Sequence, residues 1–306
     1  MNEAVALVFA YAIDRGLGEP PNALHPVAWI GTVIGRAKRW ALRGTNAAQL
    51  LRGAAIALVL PTFFAVCAFG LLRPARAIPL VQLALVVALL KPMFAVRALR
   101  DAAFAVRDAL DRSDLLAARR ALGSLCSRKA DDLTEEELVM ATIESVAENA
   151  SDSFVAPLFF FVCAGVPGAV FYRVVNTLDA MVGYRGRLEY AGKASARLDD
   201  LLNLVPARVT AFLLLLAGGL TGASARGGAR ILRRDAGRTE SPNAGWPMAT
   251  MAGLLGLKLV KVGHYTLGDA MRPASTAQIT AAWRITSLAS VLALGLGVFA
   301  LEWLHG

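Results

Sequence analysis

Residues 53 to 72, GAAIALVLPTFFAVCAFGLL, run for twenty positions without a charged side chain, and no other feature restricts the fold of this chain so severely. At about 1.5 Å per helical residue, such a run covers a hydrocarbon layer of roughly 30 Å. Lipid offers no partner to a bare amide, so the run is expected to be a membrane-spanning helix. Four further runs follow: 77 to 96, broken only by Lys91; 154 to 172; 201 to 225, with Arg208 as its sole charge; and 285 to 304. Lys91 stands next to Pro92 near the end of its run, where a lysine is expected to reach toward headgroups. Ala4 to Ile13 is apolar but short, and no Lys or Arg precedes it, so it reads as a retained short or tilted helix rather than a cleaved leader.

Within 154 to 172, Pro157, Gly165, Pro167 and Gly168 would free backbone groups, so this run should be packed inside protein or be re-entrant. If every run crosses once, the loops at 14 to 52, 99 to 153 and 224 to 285 share one side with 6, 7 and 9 basic residues, against 2 and 5 in the opposite loops at 73 to 76 and 173 to 200. The excess places the first set in the cytoplasm. It also separates 144 to 152 from 173 to 200, both rich in polar residues, and a broken or re-entrant 154 to 172 removes that conflict. From Leu99 to Asp152 the chain reads as a mainly extramembrane helical segment. Leu99, Ala103, Val106 and Leu110 recur at helical spacing, Ser113 can cap a second helix, and Thr134 with Glu137 forms a capping box for a third. No strand pattern of useful length is evident. The expectation is an all-α polytopic membrane protein with broken or re-entrant helices, residues 1 to 306 forming one membrane-embedded domain.

With 56% hydrophobic residues, 18% charged and a mean hydropathy of +0.52, the chain reads as a membrane protein and soluble enzyme folds fall to the bottom of the list. The net charge of +9 then fits membrane lipid as a partner, not nucleic acid. Cys67, Cys126 and Cys163 have no C-x-x-C spacing and read as reduced packing residues.

Polar clusters sit where they are costly. Glu144, Glu148 and Asp152 recur at i, i+4 and i+8 with Asn149 beside them, on a helix leading straight into the apolar run at Phe154. A solvated acidic face would have the same spacing, but a carboxylate at the edge of an apolar run costs several kcal/mol unless paired. The position points to Mg²⁺ binding or general-base work by these three. Past the apolar run come Tyr172, Arg173, Asn176, Asp179, Tyr184 and Arg185. Asn176 and Asp179 are one turn apart, and Arg173 and Arg185 suit bidentate capture of phosphate or carboxylate, or else an Arg–Asp pair anchors a helix end. A third cluster holds Arg197, Asp199, Asp200, Asn203 and Arg208; adjacent on a helix, Asp199 and Asp200 diverge, so at most one should join a shared site. Ser241, Pro242, Asn243 and Gly245 make a turn before a helix whose first amides would suit an anion, with Trp246 as an interfacial anchor in the plainer reading. In DRGLGEPPNALHPVAWIG, His25 is a lone imidazole between loop prolines, structural in the plainer reading and a substrate-binding candidate in the other. No phosphate-binding glycine loop, zinc spacing of His25, His264 and His305, or G-x-S-x-G is found, and Gly295 and Gly297 lie inside an apolar helix.

In order along the chain, DRGLGEPPNALHPVAWIG, ESVAENASDSFVAPLFF, YRVVNTLDAMVGYR, ARLDDLLNLVPAR and SPNAGWPMATMAG resemble the CobD/CbiB family of cobinamide-phosphate synthases, integral membrane proteins of cobalamin biosynthesis. The resemblance implies an ATP-dependent ligase that joins a carboxylate of adenosylcobyric acid to aminopropanol or its phosphate, with Mg²⁺ and ATP as cofactors. The corrinoid and a small phosphorylated amino alcohol would be partners, in the cell inner membrane with a cytoplasmic active side; a homo-oligomer is compatible with it. It assigns Glu144, Glu148 and Asp152 to metal or amine deprotonation and Arg173 and Arg185 to phosphate. Asn149, Asn176, Asp179 and Asn243 would orient corrinoid or nucleotide, with Tyr184, Asp199, Trp246 and His25 as further binding candidates. Three departures stand out: Met248 replaces an acidic residue, SRKA with Lys129 and Ala130 replaces a G-R-D-T-like segment, and Glu19 replaces Asp. The alternative is a non-catalytic membrane sensor of the same fold, which would be expected to lose the polar motifs; a transporter would need repeated halves, which are not seen.

With the three native cysteines replaced, single cysteines at positions 130, 188 and 240 should react with an impermeant label from one side if 154 to 172 is re-entrant. Labelling of position 188 from the opposite side would show instead that the run crosses.

Overall fold

The computed structural model describes residues 3–126, 128, 130–184 and 186–305. Four helical stretches among them are long and apolar enough to cross a membrane: Asn46–Ala75, Pro79–Asp111, Glu135–Val182 and Thr276–Leu304. Gly186–Leu202 and Leu204–Leu220, taken together across a break, make a fifth. The protein is thus an all-helical polytopic membrane protein, with one small hairpin that the sequence did not announce. Its residues group into two compact units, one of 1–95, 156–203 and 296–306, the other of 96–155 and 204–295.

The first unit contains α1 (Glu3–Leu17), α2 (Pro26–Ala41), α3 (Asn46–Ala75), α4 (Pro79–Leu90), α8 (Ala156–Val182) and α9 (Glu189–Leu202). Helix α3 is inside out relative to a soluble helix. It buries Gly53, Ala57, Pro61, Ala68 and Ala75 while Leu51, Leu58, Val59, Phe63, Val66 and Leu71 face outward. Lipid gives large apolar side chains no reason to hide, so helices here associate through small residues that let backbones approach. At Gly53 a Cβ would collide with the Ala191 carbonyl of α9, and at Gly192 with the Val182 carbonyl of α8.

The expected break in 154 to 172 is present. A π-helical turn, Ser151–Val155, precedes α8, and Ala164 and Gly165 interrupt α8 with non-helical dihedrals. Gly165 sits at φ +62, open to glycine and strained for other residues. Around this kink the rings of Phe160 and Tyr172 stack at 5.2 Å.

Lys91 does not reach for headgroups. It lies in the 3₁₀ turn Lys91–Met93 after α4 and is 7% exposed. Its Nζ donates to Glu19 Oε2 at 2.6 Å and lies 3.7 Å from Asp14 Oδ1. Two carboxylates from the N-terminal segment thus satisfy inside the protein the charge expected to snorkel out of it.

The second unit contains α5 (Val96–Asp111), α6 (Leu115–Leu122), α7 (Glu135–Ala150), α10 (Leu204–Leu220), α11 (Ala225–Asp235), α12 (Gly245–Leu255) and the part of α13 (Thr276–His305) up to Gly295. Leu99, Ala103, Val106 and Leu110 form the buried side of α5 as their spacing requires. The Thr134–Glu137 capping box opens α7. Ser113 does not cap α6: it turns the chain at φ +58, and Asp114 accepts the Ala117 N–H at 2.9 Å instead. Helix α12 is the unit's centre, buried along most of its length and packed on α7, α10 and α11. Its Gly253 faces Gly227 and Gly228 of α11 so closely that a Cβ would meet the Gly227 carbonyl.

After α12 come β1 (Lys258–Lys261) and β2 (Tyr265–Gly268), paired antiparallel with Leu259 opposite Leu267, both fully buried. Four-residue strands are too short to stand out as alternation in a sequence. Asp235 at the end of α11 anchors the hairpin by accepting the Gly268 N–H at 2.8 Å. Burial opposes its charge, but hydrogen bonds from Arg234 and Gly268 outweigh burial and hold the carboxyl below its usual range.

Gly53→Leu should force α3 and α9 apart and cost about 1–3 kcal/mol of stability, read as a lower melting temperature in detergent. Gly70→Leu on the same helix, with no atom within 4 Å of its Cβ position, should change little. Equal melting of the two variants would contradict the close approach.

Candidate functional site

In the second unit the polar residues gather around α7. Glu144, 4% exposed, accepts a 2.6 Å hydrogen bond at Oε2 from Nη2 of Arg128 in the loop before α7. The hairpin brings in two more groups: Lys261 of β1 adds positive charge beside Glu144, and the Tyr265 hydroxyl of β2 is in hydrogen-bonding reach of the carboxylate and 3.7 Å from Met248 Sδ. Burial, and after it the charges of Glu144 and Glu148, push Tyr265 ionisation well above the usual phenol range, so Tyr265 stays a hydroxyl. Glu148 and Asp152 are half-buried. Asn149 turns back on its own helix, its Nδ2 donating to Ser145 O at 2.9 Å.

Among the described residues no group of three His, Cys, Asp or Glu side chains is arranged to hold a metal ion. Glu144, Glu148 and Asp152 are not drawn together into such a group. Glu144 is engaged by Arg128, and the α-helical repeat that would stack Asp152 on Glu148 ends at Ala150, where the π turn begins.

Asn243 and Trp246 do meet, and Arg208 joins them. Its guanidinium donates to Asn243 Oδ1 at 3.0 Å and to Leu204 O at 2.7 Å and stands 4.5 Å over the Trp246 ring. The preceding turn is held by Asn243 N–H to Ser241 Oγ at 3.2 Å. Arg208, the sole charge of an apolar run, is thus the residue that ties the Asn-Ala-Gly-Trp turn to α10.

The first unit holds the remaining candidates. Tyr172 donates to Asn203 Oδ1 at 3.0 Å, Asn203 Nδ2 to Asp199 Oδ2 at 2.9 Å, and Asn176 Nδ2 to Asp199 Oδ1 at 3.4 Å, a relay that links α8 to the end of α9. Asp200 interacts electrostatically with Asp179. That interaction sets like charge against like charge, whereas Asp199 is the one of the adjacent pair that joins the hydrogen-bonded relay. Gly183 has to lack a side chain, since a Cβ would meet the Asp179 carboxylate. Arg173 is half-buried on α8 and Tyr184 is exposed. Arg185 and Lys129 lie outside the described residues. His25 Nε2 lies 2.8 Å from Glu19 Oε2, and Nδ1 accepts the Val27 N–H at 3.1 Å, capping α2. With Nδ1 accepting, the ring proton belongs on Nε2, and both nitrogens are committed inside the protein.

A family profile described as CobD/Cbib protein matches residues 7–292. The chain belongs to the CobD/Cbib family. Among relatives of known sequence, a cobalamin biosynthesis protein CobD from Dehalococcoides mccartyi is 47% identical over 88% of each chain. A probable cobalamin biosynthesis protein CobD from Methanothermobacter thermautotrophicus is 38% identical over 95% of this chain and 96% of its own. A CobD from Klebsiella pneumoniae is 37% identical over 99% and 98%. No solved structure matches. The CobD/Cbib match takes in the polar groups of both units.

The sequence did not single out Arg128, Lys261 or Tyr265. Arg128 sits in the SRKA segment; the signal for it was Glu144 itself, since a carboxylate heading into an apolar core requires a cation. The hairpin residues carried no signal. Arg128→Met should destabilise the protein by about 3 kcal/mol or more by leaving Glu144 buried without its hydrogen-bonded cation, and adding Glu144→Gln should recover most of the loss. Thermal unfolding in detergent checks this; a double variant no more stable than Arg128→Met would deny the pairing.

Proposed function

We propose that the protein catalyses the amide-forming step of cobalamin biosynthesis, joining a carboxylate of adenosylcobyric acid to aminopropanol phosphate or aminopropanol at the expense of ATP. The observation that carries this reading is the match along nearly the whole chain to a family whose relatives are named cobalamin biosynthesis proteins, with the polar clusters of both units retained. A regulatory protein on the same frame would have no need of them.

A carboxylate does not acylate an amine unaided. In the proposed route a carboxylate oxygen of the corrinoid attacks the terminal phosphorus of ATP and ADP leaves. The amine nitrogen then attacks the acyl carbon, phosphate leaves, and the amine proton passes to a base. Glu148 and Asp152, half-buried beside the α7 core, are the proposed bases. Glu144, held by Arg128, positions this face. Arg173 and Arg185 are assigned to phosphate, and Asn149, Asn176, Asp179, Tyr184, Asp199, Asn243 and Trp246 to holding the corrinoid or nucleotide. Orientation alone is worth on the order of 7–11 kcal/mol in such a two-substrate reaction, so these residues need not exchange protons. Mg²⁺ commonly binds through one or two carboxylates plus substrate phosphates; Glu148 or Asp152 would supply the carboxylate, and the ion would neutralise phosphate charge there. The cytoplasmic face of the inner membrane is the proposed location of this chemistry.

Purified protein in detergent, given adenosylcobyric acid, ATP, Mg²⁺ and aminopropanol phosphate, should yield the amide by mass. Glu148→Gln or Asp152→Asn should reduce turnover by about 100-fold or more while the protein stays folded. Folded wild-type protein that makes no product would remove the ligase reading. Near-normal turnover in both variants would remove only the base assignment.

A further inference from the structure

Helix α11 carries an arrangement that the proposed reaction does not use. Arg226, Arg230 and Arg233 recur at i, i+4 and i+7, with Arg234 beside them, and the opposite side of the helix buries Gly228, Ile231 and Asp235. The four arginines and Ala229, all on α11, line a shallow groove that is widely open to solvent.

Two of the guanidinium groups are set in place. Asp269 accepts from Arg230 at 2.9 Å and from Arg234 at 2.8 Å, and Asp235 grips Arg234 through both carboxylate oxygens, each at 2.8 Å. Asp235 is itself tied to the hairpin and shared with Arg238 at 3.2 Å. The other two, Arg226 and Arg233, have no acidic partner among the described residues. Arg226 also stands in the first turn of α11, which holds no acidic residue, and there the helix dipole disfavours a cation and favours an anion. The backbone beneath is fixed by the glycine contact of α11 with α12. The helix thus presents four exposed like charges side by side, two of them without an acidic partner among the described residues, a surface whose field attracts a multiply charged anion.

We propose that this groove is a binding site for a phosphate-bearing anion, with Arg230 and Arg234 as its oriented walls and Arg226 and Arg233 as the cations left to the ligand. Guanidinium groups suit phosphate oxygens because their paired N–H donors match them two at a time. The chemistry is shared by a nucleotide or pyrophosphate from solution and by an anionic phospholipid headgroup. The site goes beyond the ligase reading and does not depend on it, since binding without turnover would leave it intact.

The test uses the full chain in neutral detergent, titrated with pyrophosphate and with Mg²⁺-free ATP by calorimetry. In parallel, phosphatidylglycerol enrichment around the protein is measured in mixed phosphatidylcholine nanodiscs. Arg226→Gln/Arg233→Gln is compared with Arg112→Gln/Arg120→Gln, an equal charge change at exposed positions outside the groove. Neither Arg226 nor Arg233 has an acidic partner among the described residues, so the first variant should melt as the wild type does. Pyrophosphate or ATP binding that weakens about tenfold or more in the groove variant alone supports the site and makes its ligand soluble. Phosphatidylglycerol enrichment lost in the groove variant alone supports it and makes the ligand a headgroup. Equal behaviour of the two variants in both arms, whether unchanged or equally weakened, overturns it.

Discussion

Lys91 closes an apolar helix and is nearly sealed from solvent, a position tenable only because Glu19 and Asp14 meet it there. Removing a charge from water costs several kcal/mol unless an opposite charge and hydrogen bonds accompany it, and both units are organised by that requirement. In the first, the Lys91 pairing ties the end of α4 to the N-terminal segment, and His25 extends it to the cap of α2. In the second, Arg128 serves Glu144 in the same way, bringing the loop before α7 onto the helix, while Asp235 holds the hairpin against α11. Cohesion through apolar burial is weak between helices bathed in lipid. Polar contacts and close backbone approach therefore carry much of the specificity.

What was legible in the sequence follows from this. The apolar runs were, since twenty residues without charge have few other uses, and so was the break near Gly165, where glycine and proline cluster. The Thr134–Glu137 box was legible because a cap is a local contract between residues three apart. The fate of Lys91 was not, because its partners lie more than seventy residues away in sequence, and neither was the helix start at Asp114, one position past the Ser113 expected to cap it. The hairpin was hidden because two four-residue strands owe their existence to Leu259 and Leu267 being buried by the surrounding helices.

The candidate site divides along the same line. Residues close in sequence were found as clusters: Asn176 with Asp179, Asp199 with Asn203, Asn243 with Trp246. Which residues those clusters touch was settled by tertiary contacts: Arg208 for Asn243 and Trp246, Tyr172 for Asn203, Arg128 and the hairpin for Glu144. The spacing of Glu144, Glu148 and Asp152 suggested three equal carboxylates. Their surroundings make them unequal, because one is neutralised by an arginine and the last stands in a turn with a different winding.

Where α11 and α12 touch through Gly227, Gly228 and Gly253, main chain rests on main chain with nothing between. Side chains ordinarily act as a compliant layer that absorbs small movements by changing rotamer; glycines have none to change. At this contact any side chain larger than hydrogen would force the two helices apart. Helix α12, so closely seated on α11, also sets Met248 against Tyr265, and through it the packing of one interface fixes where the hairpin hydroxyl stands.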